Sequence, residues 1–299
     1  MRIYEYKAMN VLITGANGQL GTELRILGKP SENRFIYTDV NDIPGVETVH
    51  LDITDIDAVR LVVESEDVDV IVNCAAYTNV DAAEDDEVTA GLLNAKAPEN
   101  LADVAAATGA ALIHVSTDYV FAGASCTPIR ETAPTGPTSV YGRTKLEGER
   151  LIANSGCNYI ILRTAWLYSP WGRNFVKTMK TLTSTRDEVK VVYDQVGSPT
   201  YAADLACAIL HIIDSGQYTK KGVYHFTDEG AVSWFDFACA VRELCGNDCR
   251  MLPCLSSEFP SKVVRPSYSV LDKSLFKATF GFDIPYWRDS LRLCIERLK

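Results

Sequence analysis

The chain has 299 residues, with 29 lysines and arginines against 39 aspartates and glutamates, a formal net charge of −10. That length allows one large domain or two intimate ones, and 47% hydrophobic against 23% charged residues excludes wholesale disorder. The acidic balance argues against nucleic acid or an anionic membrane surface as the main partner, because both need a basic footprint. An anionic small molecule, held by a few local donors, stays open. No apolar run approaches the roughly 18 residues of a membrane-spanning helix, and the N-terminus MRIYEYKAMN has no apolar segment of the secretory kind. The nine cysteines lack paired C-x-x-C knuckles; Cys245, Cys249 and Cys254 form the only cluster. None of His50, His114, His211 and His225 is near enough in sequence to complete a local metal site. The expectation is no metal and free, mostly buried thiols in a reducing cytoplasm.

In chain order, NVLIT (10–14) is a short apolar strand that stops at a glycine-rich turn, followed by the helical pattern QLGTELRIL. RFIYTDV (34–40) is a second strand, ending in an acid. VDVIVNCAAYT (68–78) and GAALIHVSTDYVF (109–121) are two further buried strands, separated by a long Ala-rich stretch of helical periodicity. Strands that read as continuous rather than alternating apolar runs, alternating with helices, predict a doubly wound parallel α/β sheet of the Rossmann type, covered on both faces. A Pro/Thr/Gly-rich loop (127–139), a helix from about Ser139 and the strand NYIILRT (158–164) complete this pattern.

Beyond Thr164 the pattern loosens into an aromatic-rich loop, AWLYSPWGRN, then a helix, the strand VKVVYDQ and the helix YAADLACAILHIIDS. Two amphipathic helices follow, SWFDFACAVRELC and WRDSLRLCIERL. The expected organisation is a dinucleotide-binding domain over 1–165 and a smaller α/β substrate-binding lobe over 166–299. The strand and helix of 189–214 are expected to return to the first domain.

The sequence TGANGQLG (14–21) lies between a strand and a helix. Glycines at 15, 18 and 21 let the backbone turn tightly and approach a pyrophosphate, whose charge a helix N-terminus stabilises. Asp39, at the end of the second strand, can accept hydrogen bonds from an adenosine ribose and would repel a 2′-phosphate, favouring NADH over NADPH. Tyr141 and Lys145 form Y-x3-K in SVYGRTKLEGE, on one face of a helix. Thr117, in STDYVF, lies 24 residues upstream of that tyrosine.

This combination resembles the extended short-chain dehydrogenase/reductase superfamily across the first domain. The blocks NCAAYTNVDAAE (73–84), STDYVF (116–121), RTAWLY (163–168), GRNFVKTM (172–179), DQVGSPT (194–200) and RPSYSVLD (265–272) are similar to those of dTDP-4-dehydrorhamnose reductases, in that family's order. The resemblance implies a cytoplasmic enzyme that reduces a nucleotide-sugar substrate, dTDP-4-dehydro-β-L-rhamnose, with NADH or NADPH. It makes Tyr141, Lys145 and Thr117 catalytic, with Lys145 lowering the tyrosine pKa and binding the nicotinamide ribose. It places cofactor contacts at Gly15, Asn17, Gly18, Gln19, Leu20, Asp39, Asp52, Ile53, Ala75, Ala76, Tyr77, Thr78, Tyr141 and Lys145. Substrate contacts fall at Val80, Thr117, Asp118, Tyr141 and Trp166.

Some members of this family hold magnesium between subunits, and Glu23 matches one ligand position. With no second ligand placeable near TYAADLA, Glu23 is expected on a solvated helix face, and the homodimer that such a metal would support is left open. The acidic run Glu84–Glu87 is expected to begin a helix, where negative charge favours the macrodipole. Rival functions are an epimerase or dehydratase on another nucleotide sugar, or a cofactor-binding regulatory subunit resembling the β subunit of methionine adenosyltransferase. Against a dehydratase, Thr117 is followed by Asp118-Tyr119 rather than by an Asp-Glu pair.

Overall fold

Five of the apolar runs form strands β1 (Asn10–Thr14), β2 (Arg34–Asp39), β4 (Val70–Asn73), β5 (Ala111–Thr117) and β6 (Asn158–Thr164), and the exposed pair Val49–His50 adds a short β3. The computed structural model describes residues 8–259 and 261–298; the first seven residues of the N-terminus read above lie outside them. With Gly222–His225 these strands make a seven-stranded sheet, all neighbours parallel, in the order Gly222–His225, β6, β5, β4, β1, β2, β3. The chain runs outward from β1 to β3, then restarts on the other side of β1 with β4. A crevice therefore opens beyond the carboxyl ends of β1 and β4, where such sheets bind ligands.

Both faces of the sheet are covered, which explains the unbroken apolar runs. Val11 and Ile13 of β1 point into one core with Leu20 and Leu24 of helix α1 (Gln19–Leu27), and with Leu205, Ile209 and Ile213 of helix Ala202–Asp214. Leu12 points into the opposite core, with Val59 and Val63 of helix α2 (Ile56–Ser65) and Leu101 of helix Ala97–Thr108. Helix starts follow their caps. Asp55 accepts from the backbone N–H groups of Asp57 and Ala58, and Ser139 from that of Gly142.

The smaller lobe has its own core, built on Val176, Met179, Val189, Val191, Phe237, Val241, Trp287, Leu291 and Ile295. The stretch 189–214 divides between the two lobes. Its helix covers the first sheet, but its strand does not join that sheet: Glu188–Val192 pairs in parallel with Arg250–Cys254. The strand that does return is Gly222–His225, against β6. Short apolar strands carry no label for which sheet they enter, so only tertiary pairing separates these two.

Glu23 also departs from expectation. It is fully buried, because the last helix and the 169–174 loop fold over α1. Its carboxylate accepts from Trp171 Nε1 and Arg297, both at 3.0 Å. Among the described residues no group of three or more His, Cys, Asp or Glu is placed to hold a metal ion. The acidic run disperses: Asp86 caps helix Glu87–Gly91, Glu84 accepts from the Val140 N–H at 2.8 Å, and Asp85 and Glu87 pair with Lys262 and Arg143. None of the nine cysteines is joined in a disulfide, and Cys157, Cys249, Cys254 and Cys294 are buried. Among the described residues no helix is long and apolar enough to cross a membrane.

One buried ion pair ties helix Val140–Asn154 to the sheet. Arg163 on β6 grips Glu149 with Nε at 2.9 Å and Nη2 at 2.6 Å, and Ser116 Oγ donates to the same carboxylate at 2.5 Å. Arg163→Met would leave Glu149 buried and uncompensated, and a stability loss of about 3–5 kcal/mol is expected in denaturant unfolding. A loss below about 1 kcal/mol would show that Glu149 reaches water without its partner.

Candidate active site

A cleft of about 850 Å³ lies beyond the carboxyl ends of β1, β4, β5 and β6. Its floor begins at the glycine turn. Gly15 has φ +63°, and a Cβ there would fall 2.7 Å from Ala75 N; a Cβ on Gly21 would fall 2.5 Å from the Gly15 carbonyl oxygen. Glycine at these positions presses the turn onto the end of β4 and onto α1. Gly18 is the N-cap of α1 and supplies no side-chain hydrogen bond, which leaves the first-turn N–H groups to whatever enters the cleft.

Asp39, at the tip of β2, is nearly buried and accepts from Asn17 N at 3.1 Å and Asn41 N at 2.9 Å. Asp52 folds its carboxylate onto Thr54, while Asp55 rather than Asp52 caps α2. Asn100 holds the carbonyls of Ile53 and Thr54 at 3.2 and 3.0 Å. The 75–78 segment is fixed by two further buried asparagines. Asn73 Oδ1 accepts from Ala75 N at 3.1 Å, and Asn94 both accepts from Tyr77 N and donates to Tyr77 O, at 2.9 and 3.1 Å.

Of the expected contacts, Gly15, Asn17, Gly18, Gln19, Leu20, Asp39, Asp52, Ile53, Ala75, Ala76, Thr78, Val80, Thr117, Asp118, Tyr141, Lys145 and Trp166 all line this one cleft. Tyr77 does not; its ring packs on Ala83, Ala90 and Val140. Three other residues were not assigned to the site from the sequence. Asn94 sits in a one-turn π segment, Leu92–Lys96, inside the Ala-rich helix, where a regular period hides it. Arg173 lines the cleft in the loop whose neighbours Ser169 and Asn174 bond Gln19 at 3.1 and 2.9 Å. His114, in mid-strand, is completely buried behind Lys145.

Tyr141 and Lys145 project from the first turns of helix Val140–Asn154 toward the end of β5. Two glycines allow that helix to sit so close. A Cβ on Gly142 would fall 2.3 Å from the Tyr119 carbonyl oxygen, and one on Gly148 would fall 2.2 Å from that of Asn94. Lys145 donates to Val115 O at 2.7 Å, and its Nζ lies 3.1 Å from His114 Nε2. Burial lowers its pKa to about 8, with Glu149 opposing. The tyrosine behaves differently from the sequence expectation. Burial pushes the Tyr141 phenol up, opposed by the Thr117 hydroxyl and aided by Asp118 and Tyr119, and Lys145 is turned toward β5. The phenol is therefore held as a proton-bearing acid at neutral pH.

Thr117 Oγ1 donates to Asp118 Oδ1 at 3.0 Å and accepts from Tyr119 N at 3.2 Å. The second Asp118 oxygen is buried and receives no hydrogen bond of good geometry, although the Ser269 hydroxyl stands near the carboxylate. Trp166 has a left-handed backbone, φ +51°, a rare conformation for a bulky residue. Its indole stacks on Trp234 with centroids 3.5 Å apart, so one face belongs to the smaller lobe's core while the residue still borders the cleft.

The arrangement offers a side-chain-free helix N-terminus, a strand-tip carboxylate, and a proton-bearing phenol beside a threonine hydroxyl and an amine. Comparison with known proteins agrees. Residues 9–299 match the family described as RmlD substrate binding domain. A dTDP-4-dehydrorhamnose reductase from Burkholderia thailandensis is 38% identical over 97% of this chain and 99% of its own. The crystal structure of a dTDP-4-dehydrorhamnose reductase from Clostridium acetobutylicum is 44% identical, with TM-score 0.90 over 97% of this chain and 99% of the other. That of the Bacillus anthracis reductase in complex with NADP is 36% identical, with TM-score 0.90 over 97% and 100%.

Burial raises the Asp118 carboxyl to about 6, against the hydroxyls of Ser269 and Thr117, which lower it. Its side-chain carbon resonance should accordingly titrate with a midpoint near that value, and Ser269→Ala should move the midpoint upward. A midpoint at the ordinary aspartate position would show that water reaches the carboxylate.

Proposed function

The chain belongs to the dTDP-4-dehydrorhamnose reductase family, and from that premise we propose that it reduces dTDP-4-dehydro-β-L-rhamnose at C4 to give dTDP-β-L-rhamnose. The observation that carries this reading is the convergence of Thr117, Tyr141 and Lys145 with the glycine turn and Asp39 in one cleft. The residues present fit a nicotinamide dinucleotide. A pyrophosphate needs close backbone approach and uncapped N–H groups, which Gly15 and Gly18 provide, and Arg173 adds a cation from the facing loop. Asp39 would take the adenosine ribose, with Asp52 and Ile53 beside the base, Ala75, Ala76 and Thr78 along the chain of the cofactor, and Lys145 at the nicotinamide ribose.

Bound there, the cofactor supplies the hydride. Tyr141 holds the proton for the C4 oxygen, and its high pKa suits an acid that must stay protonated until the oxygen gains negative charge. Thr117 orients the carbonyl. The second Asp118 oxygen would accept from a sugar hydroxyl, and Val80 and Trp166 would close the sugar site with apolar surface. A dehydratase would need a second acid where Tyr119 stands; that ring instead packs edge-on against Tyr141 at 5.4 Å. A regulatory subunit would have no use for the intact proton donor set, and its mark would be stoichiometric co-purification with a larger enzyme.

The decisive variant is Tyr141→Phe, which keeps the ring and its packing. It should melt near the parent temperature, bind the cofactor as the parent does, and reduce the 4-keto sugar at least about a hundredfold more slowly in single-turnover oxidation of the cofactor. Unchanged turnover would remove Tyr141 from the mechanism.

Asp39 also bears on cofactor choice, since its buried carboxylate would meet a 2′-phosphate as a like charge. kcat/KM for NADH should equal or exceed that for NADPH. A strong NADPH preference that survives in Asp39→Ala would show that Asp39 does not face the ribose.

A further inference from the structure

The first residues of the block RPSYSVLD (265–272) lie against the chain that follows β5. Arg265 Nη1 donates to the Tyr119 hydroxyl at 3.2 Å. Pro266 packs so closely on Gly123 that a Cβ there would fall 2.5 Å from the proline ring. Gly123 O accepts from Ser267 Oγ at 3.0 Å and from Tyr268 N at 3.2 Å, and the Ser269 hydroxyl stands near the Asp118 carboxylate. The other edge of this strap bonds to the smaller lobe. Val196 N donates to Ser267 O at 2.9 Å, Val196 O accepts from Ser269 N at 2.8 Å, and Val196–Gly197 pairs with Val232–Ser233.

Within the strap, Arg265 is set apart by reaching two segments of the larger domain at once. Its Nη2 donates to Asp81 Oδ2 at 2.8 Å, on helix Val80–Ala83, while Nη1 holds Tyr119. Tyr119 and Val80 line the cleft; Arg265 itself does not. The Tyr119 ring in turn meets the Tyr141 ring edge-on, with centroids 5.4 Å apart. A guanidinium is planar and presents its donors in a fixed fork, so one side chain sets the relative place of both acceptors. Little of this is stability, since the ion pair leaves 32% of the arginine and 45% of the aspartate side chain exposed. What the fork supplies is orientation: the Tyr119 ring cannot swing away from Tyr141 without giving up its bond to Arg265.

We propose that Arg265 is a positioning residue for the reduction: bridging Tyr119 and Asp81 from the smaller lobe, it fixes the ring that Tyr141 rests against. This rests on the cleft being a reductase site, in which Tyr141 delivers the proton to the C4 oxygen. Arg265 acts through Tyr119 and touches neither cofactor nor sugar. Reacting geometry is sensitive to small displacements, and a group shifted by about 1 Å can lose up to about a hundredfold in rate. Lys262, earlier in the same segment, offers the contrast. It pairs with Asp85 at the surface, and neither residue lines the cleft.

The test is single-turnover oxidation of the cofactor with both ligands saturating. Arg265→Met should bind the cofactor like the parent and melt near its temperature, yet turn over about ten- to a hundredfold more slowly. Tyr119→Phe breaks the same bond from the other side, so the double variant should be no slower than the slower single. Arg265→Lys reaches one acceptor at a time and should recover part of the rate, while Lys262→Met should match the parent. The ring signals of ¹³C-labelled Tyr141 should move in Arg265→Met and stay in place in Lys262→Met. An unchanged rate in Arg265→Met, an equal loss in Lys262→Met, losses that multiply in the double variant, or unmoved Tyr141 signals would overturn the proposal. So would an effect confined to KM for the nucleotide sugar, which would make Arg265 a direct ligand of the substrate. If Arg265→Met fails to fold, Arg265→Lys and Tyr119→Phe carry the same comparison. Failure of the parent to reduce any nucleotide 4-keto sugar would instead overturn the reductase reading, and the Tyr141 signals would still report whether Arg265 orders its neighbour.

Discussion

The active cleft depends on how closely helix Val140–Asn154 is allowed to approach the chain around it. Gly142 and Gly148 sit against the carbonyls of Tyr119 and Asn94, where any side chain would overlap backbone atoms. Polar groups buried on the inner face of the helix find partners inside the protein. Glu149 meets Arg163 and Ser116, Lys145 meets β5, and Thr144 accepts from Asn94. Burial also pushes the Tyr141 phenol up and the Lys145 amine down.

The same closeness explains the buried asparagines. Loops at the carboxyl ends of parallel strands have no ladder to join, so their backbone groups need other partners. Asn73, Asn94 and Asn100 supply these for residues 75, 77 and 53–54. A short polar side chain with both donor and acceptor can serve a backbone N–H and a carbonyl together, as Asn94 does for Tyr77. The loops on this side of the cleft are thus shaped by residues set behind its surface.

The smaller lobe contributes by covering. Its aromatic core reaches the cleft through Trp166, whose left-handed backbone and stack on Trp234 couple cleft geometry to lobe packing. Its C-terminal helix reaches back to α1, where Arg297 pairs with the buried Glu23 and with the Tyr201 hydroxyl. The helix that follows the glycine turn is therefore clamped at a second point.

From the sequence alone, the alternation of apolar runs and helices determines the doubly wound sheet, because strands buried on both faces must be continuously apolar. The glycine turn, Asp39 and the Thr117, Tyr141, Lys145 set are legible for a similar reason: each depends on local backbone geometry or on spacing along one helix. What tertiary structure alone decides involves partners distant in the chain. It sends Gly222–His225, and not Glu188–Val192, into the main sheet. It buries Glu23 under a helix some 270 residues later, at a separation of 274. It also brings Asn73 and His114, 41 residues apart, into line behind Lys145. Periodicity registers which face of an element is apolar; it carries no information about which polar group, from which other element, will meet a buried donor.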